Sequence, residues 1–213
     1  VLYGAATFSE DIDLWVRPSP GNARRLLRGL AACCARVHKL TPPLTMRNLQ
    51  AGHGFHFLIP GPPGPVYLDV MARPPRSSSF SAARRRAMAM ATDWGRVPVV
   101  SIEDLIPLKM TRRLSDYEII SNLVRVRVSA EPAPGRPLLR WAARHSFNAE
   151  DRTAFLAKLG IRKEVEPCRE EIAAEVARLQ ARDVRYWRRH IAELRRLRRT
   201  GGLLVEGTPV AAL

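Results

Sequence analysis

Polar and apolar residues alternate over residues 11–16, where Ile12, Leu14 and Val16 interleave with Asp11, Asp13 and Trp15. A period of two predicts a strand, so Asp11 and Asp13 project from one face. A turn at 17–22 follows, and Asn22 can cap a helix running to about Lys39. Leu26, Leu27, Leu30, Ala31, Cys34 and Val37 form its apolar stripe, which assigns Cys33 and Cys34 to core packing. Residues 44–49, 54–59 and 66–71 read as three strands, the last two separated by a Pro/Gly loop at 60–65. Asp69 lies inside the apolar run of the third. A carboxylate there is expensive unless it is exposed, paired or metal-bound.

Further along, a short helix containing Arg84, Arg85 and Arg86 is expected to reach Ala91, and a strand to cover 97–100. Ser101 begins a serine–x–x–acid cap, Ser101-Ile102-Glu103-Asp104, for a helix ending near Arg113, and Ser115 caps the next. Residues 131–135, Glu-Pro-Ala-Pro-Gly, form the clearest hinge. Everything beyond reads as helical: 138–144, 149–159 closing at Gly160, and a long charged helix over 167–199. The expected organisation is therefore a domain over 1–130 and a helical, basic region over 131–213. The fold class is mixed, α/β in the α+β sense.

Composition adds a partner class. The net charge is +15, which attracts polyanions, RNA or DNA first among them, although an Arg-rich, Ala-rich and Pro-rich chain also follows from a GC-biased genome. The long helix carries much of this charge, and its arginine face is either solvated or a nucleic-acid contact. No apolar run approaches the ~20 residues of a membrane span. Cys33 and Cys34 are adjacent and Cys168 is distant. That set suggests neither a disulfide framework nor a zinc site, and leads to the expectation of a reducing cytoplasm. His53 and His56, three apart on a strand, should face opposite ways and read as ordinary strand histidines.

Paired carboxylates on a strand are a natural seat for Mg²⁺, which keeps waters and substrate phosphates among its ligands. The same residues also suit a turn entering a strand, with solvated acids. The block Gly4-Ala5-Ala6-Thr7-Phe8-Ser9-Glu10-Asp11-Ile12-Asp13-Leu14-Trp15-Val16 resembles the active-site strand of minimal nucleotidyltransferases of the polymerase-beta-like superfamily. Asp11 and Asp13 match that family's metal-binding pair, and Asp69, within Tyr67-Leu68-Asp69-Val70, matches its third carboxylate. The stretch 104–117 resembles the family's helical signature, with Lys109, Arg113 and Asp116 at its lysine and Arg-x-x-Asp positions. The resemblance covers roughly residues 3–125. Two departures are visible. The small-residue Gly-Gly or Gly-Ser motif that holds the triphosphate is absent, as expected if sequence is missing upstream of Val1. Thr7 also stands where the family usually has arginine.

The resemblance implies a mixed sheet flanked by helices, incomplete at its N-terminus. It also implies Mg²⁺-dependent transfer of a nucleoside monophosphate from a nucleoside triphosphate to an RNA or protein acceptor. In that scheme Asp11, Asp13 and Asp69 hold Mg²⁺, with Asp69 either sharing a second ion or acting as base. Lys109 neutralises phosphate or is merely solvated, and Ser9 offers its hydroxyl to phosphate or shapes the turn. Arg113 and Asp116 contact phosphate or pair with each other at the helix junction. The alternative is a catalytically inactive nucleotidyltransferase-fold protein that binds nucleic acid or a cognate partner protein, as on a toxin–antitoxin or phage-defence locus.

Overall fold

The computed structural model describes residues 2–5, 11–93 and 95–213. It is a mixed α/β chain that divides into two compact units, one of Val1–Phe8 with Met88–Tyr186 and the other of Ser9–Ala87 with Trp187–Leu213.

The sheet unit is built on four strands in the order β1-β4-β3-β2. They are β1 (Asp11–Trp15), β2 (Arg36–Val37), β3 (Gly54–Ile59) and β4 (Val66–Met71). β1 runs parallel to β4, whereas β4 with β3 and β3 with β2 are antiparallel, so the sheet is mixed. Phe55, Phe57, Leu68 and Val70 share one face and are buried beneath Leu30, Leu49 and Val210. Ile12 and Leu14 have the same parity but stay 45% and 39% exposed. They belong to a strand at the end of the sheet order, where only β4 flanks it among the described residues.

The helices α1 (Pro20–Ala32), α2 (Met46–Ala51) and α3 (Phe80–Arg86) belong to the same unit. α1 opens on Ser19, whose Oγ accepts from the Asn22 amide at 3.3 Å, with Pro20 in its first turn. It stops well short of Lys39. Cys34 takes φ 53°, and the Ala35 amide donates back to the Leu30 carbonyl at 2.9 Å, which turns the chain into β2. That turn leaves Cys33 and Cys34 exposed rather than in the core. The run expected as a strand at 44–49 is mostly α2. Thr45 Oγ1 accepts from the Asn48 amide at 3.2 Å, and Gly52 ends the helix at φ 85°. A start and a stop signal with six residues between them outweigh the β-like composition.

The other unit contains the hairpin of β5 (Met88–Thr92) and β6 (Gly95–Val99) and the helices α4 (Ile102–Lys109), α5 (Ser115–Ser129), α6 (Arg136–His145) and α7 (Ala149–Lys158). Residues 88–91, expected as helix, form β5 because they pair with β6. Ser101 Oγ accepts from the Asp104 amide at 3.2 Å and caps α4. Ser115 is the first residue of α5, not its cap. The 131–135 segment joins α5 to α6, and Ile120, Val124, Leu139 and Ala142 sit in one core, so the chain does not divide at that point. A long helix, α8 (Val165–Arg199), supplies Cys168, Ile172 and Val176 to that core, and its residues 187–199 belong to the sheet unit. Among the described residues, no helix is long and apolar enough to cross a membrane.

Candidate functional site

The sheet face opposite the core carries the strand carboxylates, and the strand register sets their order. Asp13 on β1 is the partner of Asp69 on β4, and Asp69 in turn is the partner of His56 on β3. Residues directly opposite share a face, and neighbouring strands lie about 4.7–4.9 Å apart. Asp13, Asp69 and His56 therefore form a row across three strands. Asp11, two residues before Asp13 on the same face, is the partner of Tyr67. The three sequence-predicted carboxylates thus lie on two adjacent parallel strands, on one face.

His56 lies in β3, within the strand expected at 54–59, and meets the Asp69 carboxylate. Its Nδ1 lies 2.7 Å from Asp69 Oδ1. The expectation that both His53 and His56 are strand residues holds for His56 and fails for His53, because β3 starts at Gly54. His53 precedes the strand, is buried, and places Nε2 3.1 Å from Glu193 Oε2. His56 is anchored through its backbone: its amide donates to Thr41 Oγ1 at 3.1 Å, and its carbonyl accepts from the His38 amide at 2.9 Å. Beside it, the His38 ring tilts against Tyr67 at 5.0 Å and Lys39 Nζ lies 5.9 Å from the Tyr67 ring centre. The signal for His56 was the antiparallel hairpin around 60–65, which can bring it opposite Asp69, but only the register decides that it does.

Burial pushes the Asp69 carboxyl upward. The hydrogen bond from His56, together with the charges of His56, Lys39 and His38, pulls it down further, and the net position is below the ordinary carboxylate range. Asp69 is therefore ionised at neutral pH and already oriented. Three carboxylates supply the hard oxygen donors that Mg²⁺ prefers. Among the described residues, no three His, Cys, Asp or Glu side chains are gathered so as to hold a metal by themselves. The donor set fits an ion that takes one or two carboxylates and completes its shell with phosphate oxygens and water, as Mg²⁺ commonly does.

The remaining predicted residues fall elsewhere. Ser9 lies outside the described residues, as does Thr7. Lys109, Arg113 and Asp116 belong to the other unit. Lys109 is half-buried in the last turn of α4. Asp116 is buried and accepts from Arg113 Nε at 3.2 Å and from the Thr111 hydroxyl. The Tyr117 hydroxyl donates to the Thr111 carbonyl at 2.8 Å, and the Arg112 amide donates to Asp183 Oδ2 at 3.1 Å. In this arrangement Arg113 and Asp116 tie the α4–α5 junction together. No protein-family model matches the chain, and no curated protein matches it.

Proposed function

We propose that the chain is a Mg²⁺-dependent nucleotidyltransferase that moves a nucleoside monophosphate from a nucleoside triphosphate to an RNA or protein acceptor. One observation carries the reading: the parallel pairing that puts Asp13 beside Asp69 with Asp11 on the same face. Like charges directly opposite on neighbouring strands are destabilising. A cation shared with a triphosphate would draw on both carboxylates at once.

Mg²⁺ bound there would supply charge neutralisation as the α-phosphorus is attacked. The chain's own residues orient the reactants. Asp11 and Asp13 project together from a strand, and Asp69, on the same face, is held through Oδ1 by His56 Nδ1. The acceptor hydroxyl oxygen forms a bond to the α-phosphorus, the bond to pyrophosphate breaks, and the hydroxyl proton leaves to water. A carboxyl with a lowered pKa is a weak base and a firm ligand, so Asp69 suits the ligand role better than the base role. The resemblance assigns Ser9 and Lys109 to phosphate, while Arg113 and Asp116 pair with each other.

The inactive binding protein is favoured by one feature, the His56–Asp69 pair itself, which occupies an oxygen that a metal could use. The test is transfer of α-labelled nucleotide, from each of the four triphosphates in turn, to RNA and to protein by the full chain with Mg²⁺. Asp13→Asn and Asp69→Asn should each abolish labelling while leaving the far-ultraviolet circular dichroism unchanged. Absence of transfer by the unsubstituted chain, or transfer that survives both substitutions, overturns the enzyme reading.

A further inference from the structure

Charge is segregated along α8. Between residues 176 and 199 there are nine arginines and two acids, and both acids are engaged by other groups of the chain. Asp183 is buried and accepts from the Arg112 amide at 3.1 Å. Glu193 is turned to the buried His53 at 3.1 Å. Five of the arginines differ. Arg188, Arg195, Arg196, Arg198 and Arg199 are exposed, and among the described residues none of them is in an ion pair. The first turns of the same helix differ: Arg169 meets Glu150 and Glu166, and Glu171 meets Lys163.

Within 187–199 the arrangement is directional. His190 is buried and Leu194 and Leu197 are half-buried, so one side faces the unit's own interior. Arg188, Arg195 and Arg199 recur at intervals of seven and four on the other side, with Ala192 between them. Arg195, Arg198 and Arg199 line one hollow around Ala192. Like charges at these spacings destabilise an isolated helix. Favourable interaction with the helix dipole is limited to the last turn, so it does not account for Arg188 or Arg195.

We propose that this stripe, Arg188, Arg195, Arg198 and Arg199, is a binding site for the phosphodiester backbone of RNA. Three observations narrow the occupant. Within 187–199 Ile191 is the one exposed large apolar residue, set among the arginines, so this segment lacks the broad apolar face with which amphipathic helices enter a lipid surface. The stripe has no exposed aromatic to anchor a protein partner or to stack a base, which leaves phosphate contacts without sequence preference. The close neighbours Arg195, Arg198 and Arg199 are roughly 5–6 Å apart at Cβ, and the C3′-endo sugars of RNA bring successive phosphates closer together than those of B-form DNA. The site is independent of the carboxylate row.

The test is fluorescence anisotropy with an end-labelled single-stranded RNA, titrated with salt, on the full chain. The triple variant Arg188→Glu/Arg195→Glu/Arg199→Glu should weaken binding at least tenfold and reduce the slope of log K against log salt by about 2, at roughly 0.7 per phosphate for a single strand. A control triple, Arg24→Glu/Arg25→Glu/Arg28→Glu on α1, makes the same change in net charge at exposed arginines. It should change binding less than threefold. Arg188→Gln/Arg195→Gln/Arg199→Gln removes charge without adding repulsion, and should weaken binding in the same direction if the glutamate variant unfolds. Asp13→Asn should bind RNA as the parent does, which separates this site from the fate of the proposed catalysis. Equal loss in the α8 and α1 triples, no loss in the glutamine variant, or tighter binding to duplex DNA or anionic phospholipid vesicles than to RNA overturns the proposal.

Discussion

Replacing His56 with alanine removes the hydrogen bond that holds Asp69 and leaves the burial of that carboxyl in place. The two side chains are 27% and 26% exposed, and the Nδ1–Oδ1 distance is 2.7 Å. A hydrogen bond to a charged group contributes about 1.5–3 kcal/mol. Partial exposure lowers that, so the expected coupling is roughly 1–2 kcal/mol. Urea unfolding at pH 5.5 of the parent, His56→Ala, Asp69→Asn and the double variant gives this coupling as a double-mutant cycle. His56→Asn keeps a donor near the same place and should recover part of it.

The pH dependence has a definite sign. The Asp69 carboxyl lies lower in the folded chain than its ordinary value of about 3.9, so its contribution is complete above that pH and is lost as pH falls through the folded value. In His56→Ala the burial effect is no longer offset by His56, the carboxyl moves upward, and this acid-side loss shrinks. The Asp69 carboxyl carbon resonance, followed through an acid titration in both proteins, reads the movement directly. A coupling below about 0.3 kcal/mol, within the scatter of independent sites, or a carboxyl that titrates lower in the variant, would refute the reasoning.

Two other predictions concern different regions. Asp116→Ala should destabilise by about 2–4 kcal/mol, because it strips a buried acceptor from Thr111 and Arg113; a urea midpoint that does not move would exclude this role. Burial first, then the charges of His53 and Arg189, hold His190 below the ordinary histidine pKa against the opposing charge of Glu193. The unfolded chain therefore binds a proton near pH 6.5 that the folded chain does not. Stability should fall as pH drops from 7 to 5, with a shallower slope in His190→Gln; equal slopes would exclude His190 as the cause.

Much of the architecture is visible in local patterns. Strands β3 and β4 follow from apolar runs bounded by a Pro/Gly loop, α4 from a Ser-x-x-acid cap, and the end of α7 from Gly160, a left-handed residue. Where local signals compete, the expectation failed. Residues 44–49 have strand-like composition but lie between a threonine cap and a left-handed glycine. Residues 88–91 extend a basic helix on paper but gain more by pairing with β6. The 131–135 segment has the composition of a hinge, yet the helices on either side share one core.

The candidate site divides in the same way. Period two alone puts Asp11 and Asp13 on one face, because alternation is a property of any strand. The sequence also shows that Asp69 sits in a strand. It does not specify that β4 pairs in parallel with β1, in the register that sets Asp69 beside Asp13 across 56 positions of chain, or that β3 brings His56 against the other side of Asp69. Pairing partner and register depend on how apolar faces pack and which edges meet, and these are properties of the assembled sheet. The direction of the α8 arginines is decided similarly. Their number is written in the sequence, but which side is open follows from the burial of His190 and the engagement of Asp183 and Glu193.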